Sequence, residues 1–456
     1  MSVLTTAGTW ASAHDGRWSG VVLERAEHGV ADTLAAIIAA GSDPVTRKVR
    51  DAAAASGAGA SRTVGSEQAL TASSAALVNG TAAHVLELDD NFYPALTHAS
   101  AAILPALLAI GDETEASGAD VLDAYIVGLE LHALLGRGVN RSHYFAGWHP
   151  TATVGCIGTA GACARLLGLD GERTTQAMSI AVSMAAGNKA QFGTEVKPLQ
   201  CGTSALHAVL AVRLAEAGIE GNPEVLEDPQ GFLALYGGPH PRGWDEPLRK
   251  LGNPLALDEY GLAPKRHACC GSAHNTLDNL LDLRAEHGFA VEDIEEIDVL
   301  IGASNRKNLR FDDPRDAFEA RFSLQYSVAV LLLRGEVTLK DFTPDAVARP
   351  EVRALFGLTK IRALSFDEEP LDPDVRPAHS VRVTLKDGRV LTRERVFAKG
   401  IKQDPFSDAE RAAKVRACTE DRLEPSAYAA LVRELASIRS LPSIRSLTAI
   451  LAEAKA

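Results

Sequence analysis

Cysteine is scarce in this sequence, and the cysteines that occur have neither disulfide-framework nor zinc-site spacing. Cys269 and Cys270 are adjacent, so they do not form a C-x-x-C pair. The chain has six cysteines in 456 residues, a low content that is typical of a protein from a reducing compartment. We therefore expect a cytoplasmic protein without disulfide bonds.

Positive charge is also in short supply. The chain has 46 lysines and arginines against 59 aspartates and glutamates, a formal net charge of −13. A nucleic-acid-binding protein needs a clustered basic surface, so we expect no nucleic-acid partner. The first segment has no basic stretch followed by an apolar one, and uninterrupted apolar runs of about 18 residues are missing. We expect neither a signal peptide nor a membrane span.

Motifs for common cofactor and metal chemistry are missing as well. The sequence contains no G-x-x-x-x-G-K-[ST], no G-x-G-x-x-G after a strand, no G-x-S-x-G and no H-E-x-x-H. We therefore expect no cofactor and no metal. The remaining chemistry is what side chains can perform alone, and proton transfer is the most accessible kind.

The residues that are present divide into helix-like and strand-like stretches. Alanine- and leucine-rich segments with apolar residues at helical spacing fill the first half, and Ser66 is expected to begin one of them. Beyond residue 265 apolar residues alternate, and an Asp387-Gly388 turn joins two β-prone runs. Near the end the pattern becomes helical again, where Ser407 and Glu410 fit a capping box.

These patterns predict a mainly α fold in which a large all-helical domain carries a smaller inserted α+β lid domain. The expected boundaries are residues 1–265 plus 401–456 for the helical domain and 266–400 for the lid. The joins would act as hinges. A cleft between the domains is the default ligand site.

Polar residues suited to proton transfer stand in several places, each of which also has an ordinary structural explanation. The stretch LELDDNFYPALTHAS (residues 86–100) combines acids with His98, but it could be a helix end followed by an acidic loop. His149 precedes Pro150, which favours a helix N-terminus where anions bind, although a satisfied half-buried histidine is an equal alternative. The candidates from these stretches are Glu87, Asp90, Asn91, His98, Tyr144 and His149.

Further candidates lie downstream. Lys197 stands before Pro198 among glycines and apolar helices, which argues against the solvent exposure usual for lysine. Lys265 and His274 lie near the expected hinge. Tyr326 opens an apolar helix, where a tyrosine more often belongs to the core.

The motifs occur in an order that resembles the MmgE/PrpD family over nearly the whole chain. The matching stretches are LDDNFYPALTH, GWHPTATVG, FGTEVKPLQCG, GFLALYGG, CCGSAHNTLD, EARFSLQYSVA and DPFSDAERAAK. The family includes 2-methylcitrate dehydratase, cis-aconitate decarboxylase and an iminodisuccinate epimerase. The resemblance implies an all-helical domain with a smaller lid, a homodimer, and catalysis without a metal. It also implies a site built from His98, His149, Lys197, His274 and Tyr326.

The sequence departs from the family pattern in the acidic stretch. Glu87 and Asn91 replace an Asp and a Thr, one residue is added around Leu96, and His267 and Ala268 replace a Tyr-Pro pair. Family reactions share a carbanion next to a carboxylate, whose charge cations and donors must neutralise. A changed acidic motif suggests that proton transfer is kept while hydroxyl expulsion is lost.

We therefore expect a cofactor-independent epimerase acting on a succinate-like dicarboxylate, with iminodisuccinate as the leading candidate. Its acid–base pair would be Lys197 with Tyr326 or Tyr144, assisted by His98 and His149. Two alternatives stay open: a lyase of the 2-methylcitrate dehydratase or cis-aconitate decarboxylase type, and a non-catalytic helical binding protein. The expected substrate-binding residues are Glu87, Asp90, Asn91, Lys265 and His274.

Overall fold

Helices built largely from alanine, glycine and leucine make up the first half of the chain. The structure, a computed structural model, describes residues 1–369 and 375–455. The helices before residue 265 are α1 (Val3–Ala13), α2 (Gly20–Ala39), α3 (Pro44–Ala54), α4 (Ala72–Val85), α5 (Ala99–Thr114), α6 (Gly118–Val139), α7 (Ser142–Phe145), α8 (Val154–Leu166), α9 (Gly171–Val182), α10 (Val196–Glu216), α11 (Phe232–Tyr236), α12 (Asp245–Lys250) and α13 (Ala256–Glu259).

A small sheet and short helices follow, and three helices close the chain. The helices are α14 (His274–His287), α15 (Ala303–Asn308), α16 (Ala317–Ala320), α17 (Leu324–Arg334), α18 (Pro344–Val347), α19 (Pro350–Arg353), α20 (Asp408–Thr419), α21 (Pro425–Ala436) and α22 (Arg445–Ala452). The strands of the chain are β1 (Ala58–Thr63), β2 (Ser66–Leu70), β3 (Ile294–Ile301), β4 (Thr359–Ala363), β5 (His379–Leu385) and β6 (Val390–Arg395). Within the two described ranges, no helix is both long and apolar enough to cross a membrane.

Close contact between α4 and α10 positions the site. A Cβ atom on Gly80 would lie 3.0 Å from the Cα of Gly202, and one on Gly202 would clash with the main-chain oxygen of Leu77. Only glycine fits at these positions, so the two helices approach to backbone contact. The end of α4, with His84, consequently lies beside the start of α10, with Lys197.

The four-stranded sheet has the order β4-β3-β5-β6, with β3 and β4 parallel and the other pairs antiparallel. Alternate residues of β3 and β5 are fully buried, as the period-2 pattern predicted. Helix α14 packs against β5, where Asn279 Nδ2 donates to the main-chain oxygen of His379 at 3.0 Å. The Asp387-Gly388 turn joins β5 to β6, and Gly388 has a φ of 89°.

Helices α20 and α22 pack on the first half of the chain. Lys414 of α20 pairs with Asp32 of α2 at 2.6 Å, and Arg445 of α22 donates to the main-chain oxygen of Asp112 at 2.9 Å. The Ser407–Glu410 capping box is present as predicted. These contacts agree with the predicted domain division, which stays a prediction and whose two parts include the undescribed residues 370–374 and 456.

The mainly α fold with a smaller sheet-containing part is confirmed. A departure is the antiparallel pair β1–β2 within the first half. Ser66 begins β2, not a helix, and α4 begins after Thr71, whose hydroxyl accepts from the backbone N–H of Ser74. The cap at Thr71 sets the start of α4, so the helical periodicity of the later residues does not extend upstream to Ser66.

Candidate active site

The acidic segment, residues 86–91, leaves the end of α4 and is held at both ends. Glu87 adopts a φ of 54°, a left-handed conformation that residues other than glycine rarely take. At the far end, the main chain of Asn91 makes two hydrogen bonds with that of Ala263, at 2.9 and 3.0 Å. The backbone therefore fixes where the carboxylates of this segment point.

Four buried charges, here called the charge cluster, meet around this segment: Glu87, Asp89, Lys197 and Lys265. Lys197 Nζ donates to Glu87 Oε1, while Lys265 Nζ donates to Glu87 Oε2 at 2.9 Å and to Asp89 Oδ1 at 3.3 Å. No member is more than 4% exposed. Two positive and two negative charges balance, which offsets the high cost of removing each from water.

Three members of the cluster, Glu87, Asp89 and Lys265, stay ionised at neutral pH. Burial by itself would raise the pKa of Glu87, but Lys197 and Lys265 outweigh it and hold that pKa well below its ordinary value. Burial likewise opposes the ionisation of Asp89, yet His84 and Lys265 bring its pKa well below the ordinary value. Although burial lowers the pKa of Lys265, Asp89 and Glu87 raise it above its usual range.

His84 joins the charge cluster to its surroundings. Its Nδ1 lies 2.6 Å from Asp89 Oδ2, and its Nε2 lies 2.7 Å from Lys197 Nζ. Since the aspartate can only accept and the lysine can only donate, Nδ1 carries the proton and Nε2 accepts from the lysine. Two of the three N–H groups of Lys197 are thus committed, to Glu87 and to His84, and the third is available to a ligand.

Two further histidines present unprotonated nitrogens. His98 Nδ1 lies 2.9 Å from the main-chain oxygen of Asp90, and His149 Nδ1 lies 2.7 Å from Gln200 Oε1. Both partners are acceptors, so each ring carries its proton on Nδ1 and a lone pair on Nε2. Among the described residues, His149 Nε2 has no hydrogen-bond partner.

Both rings are neutral in the free protein. Burial lowers the pKa of His98 to about 4, although Asp89 opposes the shift. Burial, reinforced by Lys197, holds the pKa of His149 well below its ordinary value. Each ring can therefore accept a proton when negative charge arrives beside it.

A cavity of about 170 Å³ lies over these groups. A water molecule needs about 10–15 Å³ on such a measure, so the cavity holds a ligand of roughly ten non-hydrogen atoms. Arg141 and Arg376 line it and add positive charge above the neutral charge cluster. The guanidinium group of Arg376 lies 3.3 Å from the ring centroid of Tyr93. The cavity therefore has a net positive lining, which favours a small anion.

The three histidines could also hold a metal ion, because one ring nitrogen from each lies within 4.8 Å of the others. Lys197, however, donates to the only lone pair of His84, which a metal would need. A metal ion there would have to displace the lysine from His84. The arrangement therefore suits an anion better than a cation.

The structure brings together most of the residues predicted from the sequence. Those that line the cavity are Glu87, Asn91, His98, Tyr144, His149 and Lys197. The Tyr144 hydroxyl accepts from Asn308 Nδ2 at 2.7 Å, and burial raises the pKa of Tyr144 above its ordinary value. Tyr144 is thus placed to donate a proton or a hydrogen bond.

Tyr326 lies outside the cavity, contrary to expectation. Its ring is fully buried against Phe342, and its hydroxyl donates to the main-chain oxygen of Asp341. A side chain in the first turn of α17 could point either into the cavity or into the apolar core, and that of Tyr326 points into the core. Its predicted acid–base role has no support from its position.

Three other predicted residues lie behind the cavity or away from it. Lys265 acts through Glu87 and Asp89 and does not line the cavity. His274 Nε2 lies 3.2 Å from the main-chain oxygen of Cys269, and burial lowers the pKa of His274 to about 3. Asp90 accepts from the Ser100 hydroxyl and lines a separate cavity. None is in position to touch a ligand over the charge cluster.

Several cavity or supporting residues were not selected from the sequence. His84 stands three residues before Glu87, which was a usable signal because the last turn of a helix meets the segment that follows it. Arg141 and Cys270 lie inside stretches that were selected for other residues. Arg376 belongs to no recognised motif, and only the folding of 375–379 over the cavity reveals it.

Two family models together match most of the chain. Residues 9–244 match the model of the MmgE/PrpD N-terminal domain, and residues 267–436 match that of the MmgE/PrpD C-terminal domain. The chain belongs to the MmgE/PrpD family.

Curated members of the MmgE/PrpD family are similar over most of the chain. A human cis-aconitate decarboxylase is 32% identical over 375 residues, which cover 79% of this chain and 75% of the relative. A cis-aconitate decarboxylase from Aspergillus terreus is 28% identical over 405 residues, 84% of this chain and 82% of the relative. A mitochondrial 2-methylcitrate dehydratase from Yarrowia lipolytica is 26% identical over 283 residues, 60% and 53% of the two chains.

The charge cluster predicts non-additive effects on stability. Glu87→Gln leaves two buried lysines facing one carboxylate, so we expect the free energy of unfolding to fall by about 3–5 kcal/mol. Glu87→Gln combined with Lys197→Met removes one charge of each sign, and should cost less than the sum of the two single variants. Urea unfolding followed by circular dichroism measures all three.

Glu195→Gln is the matched control, because Glu195 pairs with Lys48 at the surface near the start of α10. It should change the free energy of unfolding by no more than about 0.5 kcal/mol. Strict additivity of Glu87→Gln and Lys197→Met would contradict the coupling of these charges.

Proposed function

We propose that this protein is a lyase that decarboxylates a cis-aconitate-like tricarboxylate. The observation that carries the proposal is the cavity itself, in which the buried Lys197, two neutral histidines and two arginines surround space for a small polyanion. The names of the human and Aspergillus relatives supply the reaction class.

The chemistry can be written with atoms and charges in balance. In cis-aconitate one carboxylate sits on a methylene carbon next to the double bond. When the bond to that carboxylate breaks, carbon dioxide leaves and the electron pair forms a new double bond to the central carbon. The pair of the old double bond moves to the far carbon, which bears a carboxylate and takes up one proton. The product is carbon dioxide and a methylene-substituted succinate dianion.

Lys197 is the residue best placed to stabilise the intermediate. Charge develops on the far carbon and spreads into its carboxylate as an enediolate, so a fixed positive group nearby lowers the barrier. Glu87 and His84 hold Lys197 Nζ in place, and the rings of Phe192 and Phe322 lie 5.1 and 5.3 Å from it. A preorganised, poorly hydrated cation of this kind acts without waiting for water to reorganise.

The proton comes from a group that faces the cavity. His98 and His149 are neutral in the free protein, and a bound polyanion supplies the negative charge that favours their protonated forms. Either imidazolium, or the Tyr144 hydroxyl, can then deliver the proton that the far carbon requires. Arg141 and Arg376 are placed to hold the carboxylates that remain.

Epimerisation of iminodisuccinate, favoured by the sequence alone, is not supported by these relatives, which match the lyase alternative better. The changed acidic motif, which was the reason to expect an epimerase, also carries less weight in the structure. Glu87 keeps a carboxylate bound to Lys197 and Lys265, so the change from aspartate preserves the charge. Homodimer formation and a cytoplasmic location stay predictions.

Incubation with cis-aconitate in heavy water tests the proposal. Proton NMR should show two vinylic signals of a new methylene group and a saturated carbon that carries one deuterium, together with released carbon dioxide. Propane-1,2,3-tricarboxylate is the control, because it lacks the double bond and should release nothing.

Hydration of cis-aconitate to saturated products, without carbon dioxide, would replace the decarboxylase by a dehydratase of the Yarrowia type. Exchange of the α-hydrogen of iminodisuccinate, with neither reaction on cis-aconitate, would restore the epimerase and reject the proposal.

Binding of an anion should take up protons. The pKa of His98 lies near 4 and that of His149 below its ordinary value, and three carboxylates beside them should raise both. We therefore expect propane-1,2,3-tricarboxylate to bind with proton uptake at pH 7, and its affinity to fall as pH rises. Calorimetry in two buffers of different ionisation enthalpy measures the uptake.

His98→Asn should reduce the uptake, whereas His287→Asn, which alters a half-exposed histidine at the end of α14, should not. Equal heats in both buffers for the unaltered protein would contradict the assigned protonation states.

A further inference from the structure

A second cavity, also of about 170 Å³, lies beside α2 and α20, where the side chain of Asp90 leaves the acidic segment. Asp32 and Asp90 line it together with Arg25, Lys402 and Arg411. The first cavity is lined by Glu87 and Asn91 of the same segment, so the segment contributes side chains to two separate spaces. Nothing in the proposed reaction uses the second one.

Two carboxylate oxygens in this cavity lack the partners that buried oxygens normally have. Asp32 is 9% exposed and Asp90 is 1% exposed. Within the described part of the chain, Asp32 Oδ2 and Asp90 Oδ1 have no hydrogen-bond partner. Their other oxygens are used, since Lys414 pairs with Asp32 Oδ1 at 2.6 Å and the Ser100 hydroxyl donates to Asp90 Oδ2. Such unpaired buried acceptors are uncommon and call for a donor.

The opposite charge lines the same space. Arg411 reaches the cavity from α20, and its buried Nε has no partner in the ranges that the structure describes. Arg25 and Lys402 are fixed near it, because both donate to the main-chain oxygen of Asp258, at 2.8 and 2.7 Å. The side chains of Leu262, Phe406 and Val415 supply apolar walls between the charged groups.

This combination selects a ligand with both signs of charge. An ammonium group supplies several donors, which match the two unpaired carboxylate oxygens. A carboxylate group matches Arg411, whose guanidinium favours such a partner. The volume admits roughly ten non-hydrogen atoms, and the apolar walls accept a short aliphatic side chain.

We propose that this second cavity is a binding site for a small zwitterionic α-amino acid, held by Asp32 and Asp90 at its ammonium end and by Arg411 at its carboxylate end. The site is connected to the first cavity through one residue. Asp90 offers its carboxylate to the second cavity, while its main-chain oxygen accepts from His98 Nδ1 at 2.9 Å. Burial raises the pKa of Asp90 to about 7, so an ammonium ligand would favour its ionised form.

Isothermal titration calorimetry with glycine, L-alanine and L-valine tests the site in the full-length protein. Propylamine and propionate, at equal ionic strength, carry one charge each and serve as matched probes. We expect at least one amino acid to bind with one-to-one stoichiometry and with a dissociation constant at least about tenfold below that of either probe.

Variants locate the binding. Arg411→Gln and Asp32→Asn should each weaken the binding of that amino acid by about tenfold or more. Arg411→Gln changes a partly exposed helix residue and should fold even if loss of the Lys414 partner destabilises Asp32→Asn. The controls are Arg416→Gln on the same helix and Asp421→Asn beyond it, both exposed, and neither should alter binding.

The affinity for propane-1,2,3-tricarboxylate should stay within about twofold in Arg411→Gln, because Arg411 does not line the first cavity. The proposal is overturned if no amino acid binds below about 10 mM. It is equally overturned if propylamine alone binds as tightly, if Arg411→Gln has no effect, or if the amino acid competes with the tricarboxylate for one site.

Discussion

The balance of charge among Glu87, Asp89, Lys197 and Lys265 is the constraint on which the rest of the site depends. Each of these groups alone would be costly to bury, and together they form a neutral unit in an otherwise apolar helical core. Although the net charge of the cluster is zero, each charged group still acts on the atoms next to it. The hydrogen bonds to Glu87 and His84 hold Lys197 Nζ at the edge of the cavity, with one N–H left to donate to a ligand.

The small residues of the core serve this arrangement. Lys197 reaches Glu87 and His84 only because α4 and α10 meet at Gly80 and Gly202. A larger residue at either glycine would separate the helices and with them the two halves of the cluster. The alanine- and glycine-rich composition, which at first indicates only close helix packing, is thus also what brings a lysine and a glutamate more than a hundred positions apart in sequence into contact.

Sequence reasoning recovered the mainly α fold and six of the residues that line the cavity, because these carry local signals. His149 before Pro150 and Lys197 before Pro198 are unusual for packing alone, and the alternation in β3 and β5 is clear.

The sequence does not predict the direction in which a side chain points once its backbone is placed. Nothing local distinguishes a Tyr326 that faces the cavity from one that donates to Asp341, or an Asp90 that faces the ligand from one that faces the opposite way. Arg376 comes from a distant segment without a motif, and β2 was not predicted because its residues, from Ser66, run directly into the helical pattern of α4.

The measurement that bears most directly on this account is the turnover of cis-aconitate by Lys197→Met beside that by Tyr326→Phe. Lys197 lies at the cavity edge as the fixed cation, so its loss should lower kcat by about 10²–10³-fold. Tyr326 lies in the core away from the cavity, and loss of its hydroxyl should leave kcat within about threefold. A Lys197→Met protein that is folded and as active as the unaltered one, or a Tyr326→Phe protein as impaired as Lys197→Met, would contradict the placement of the reaction over the charge cluster.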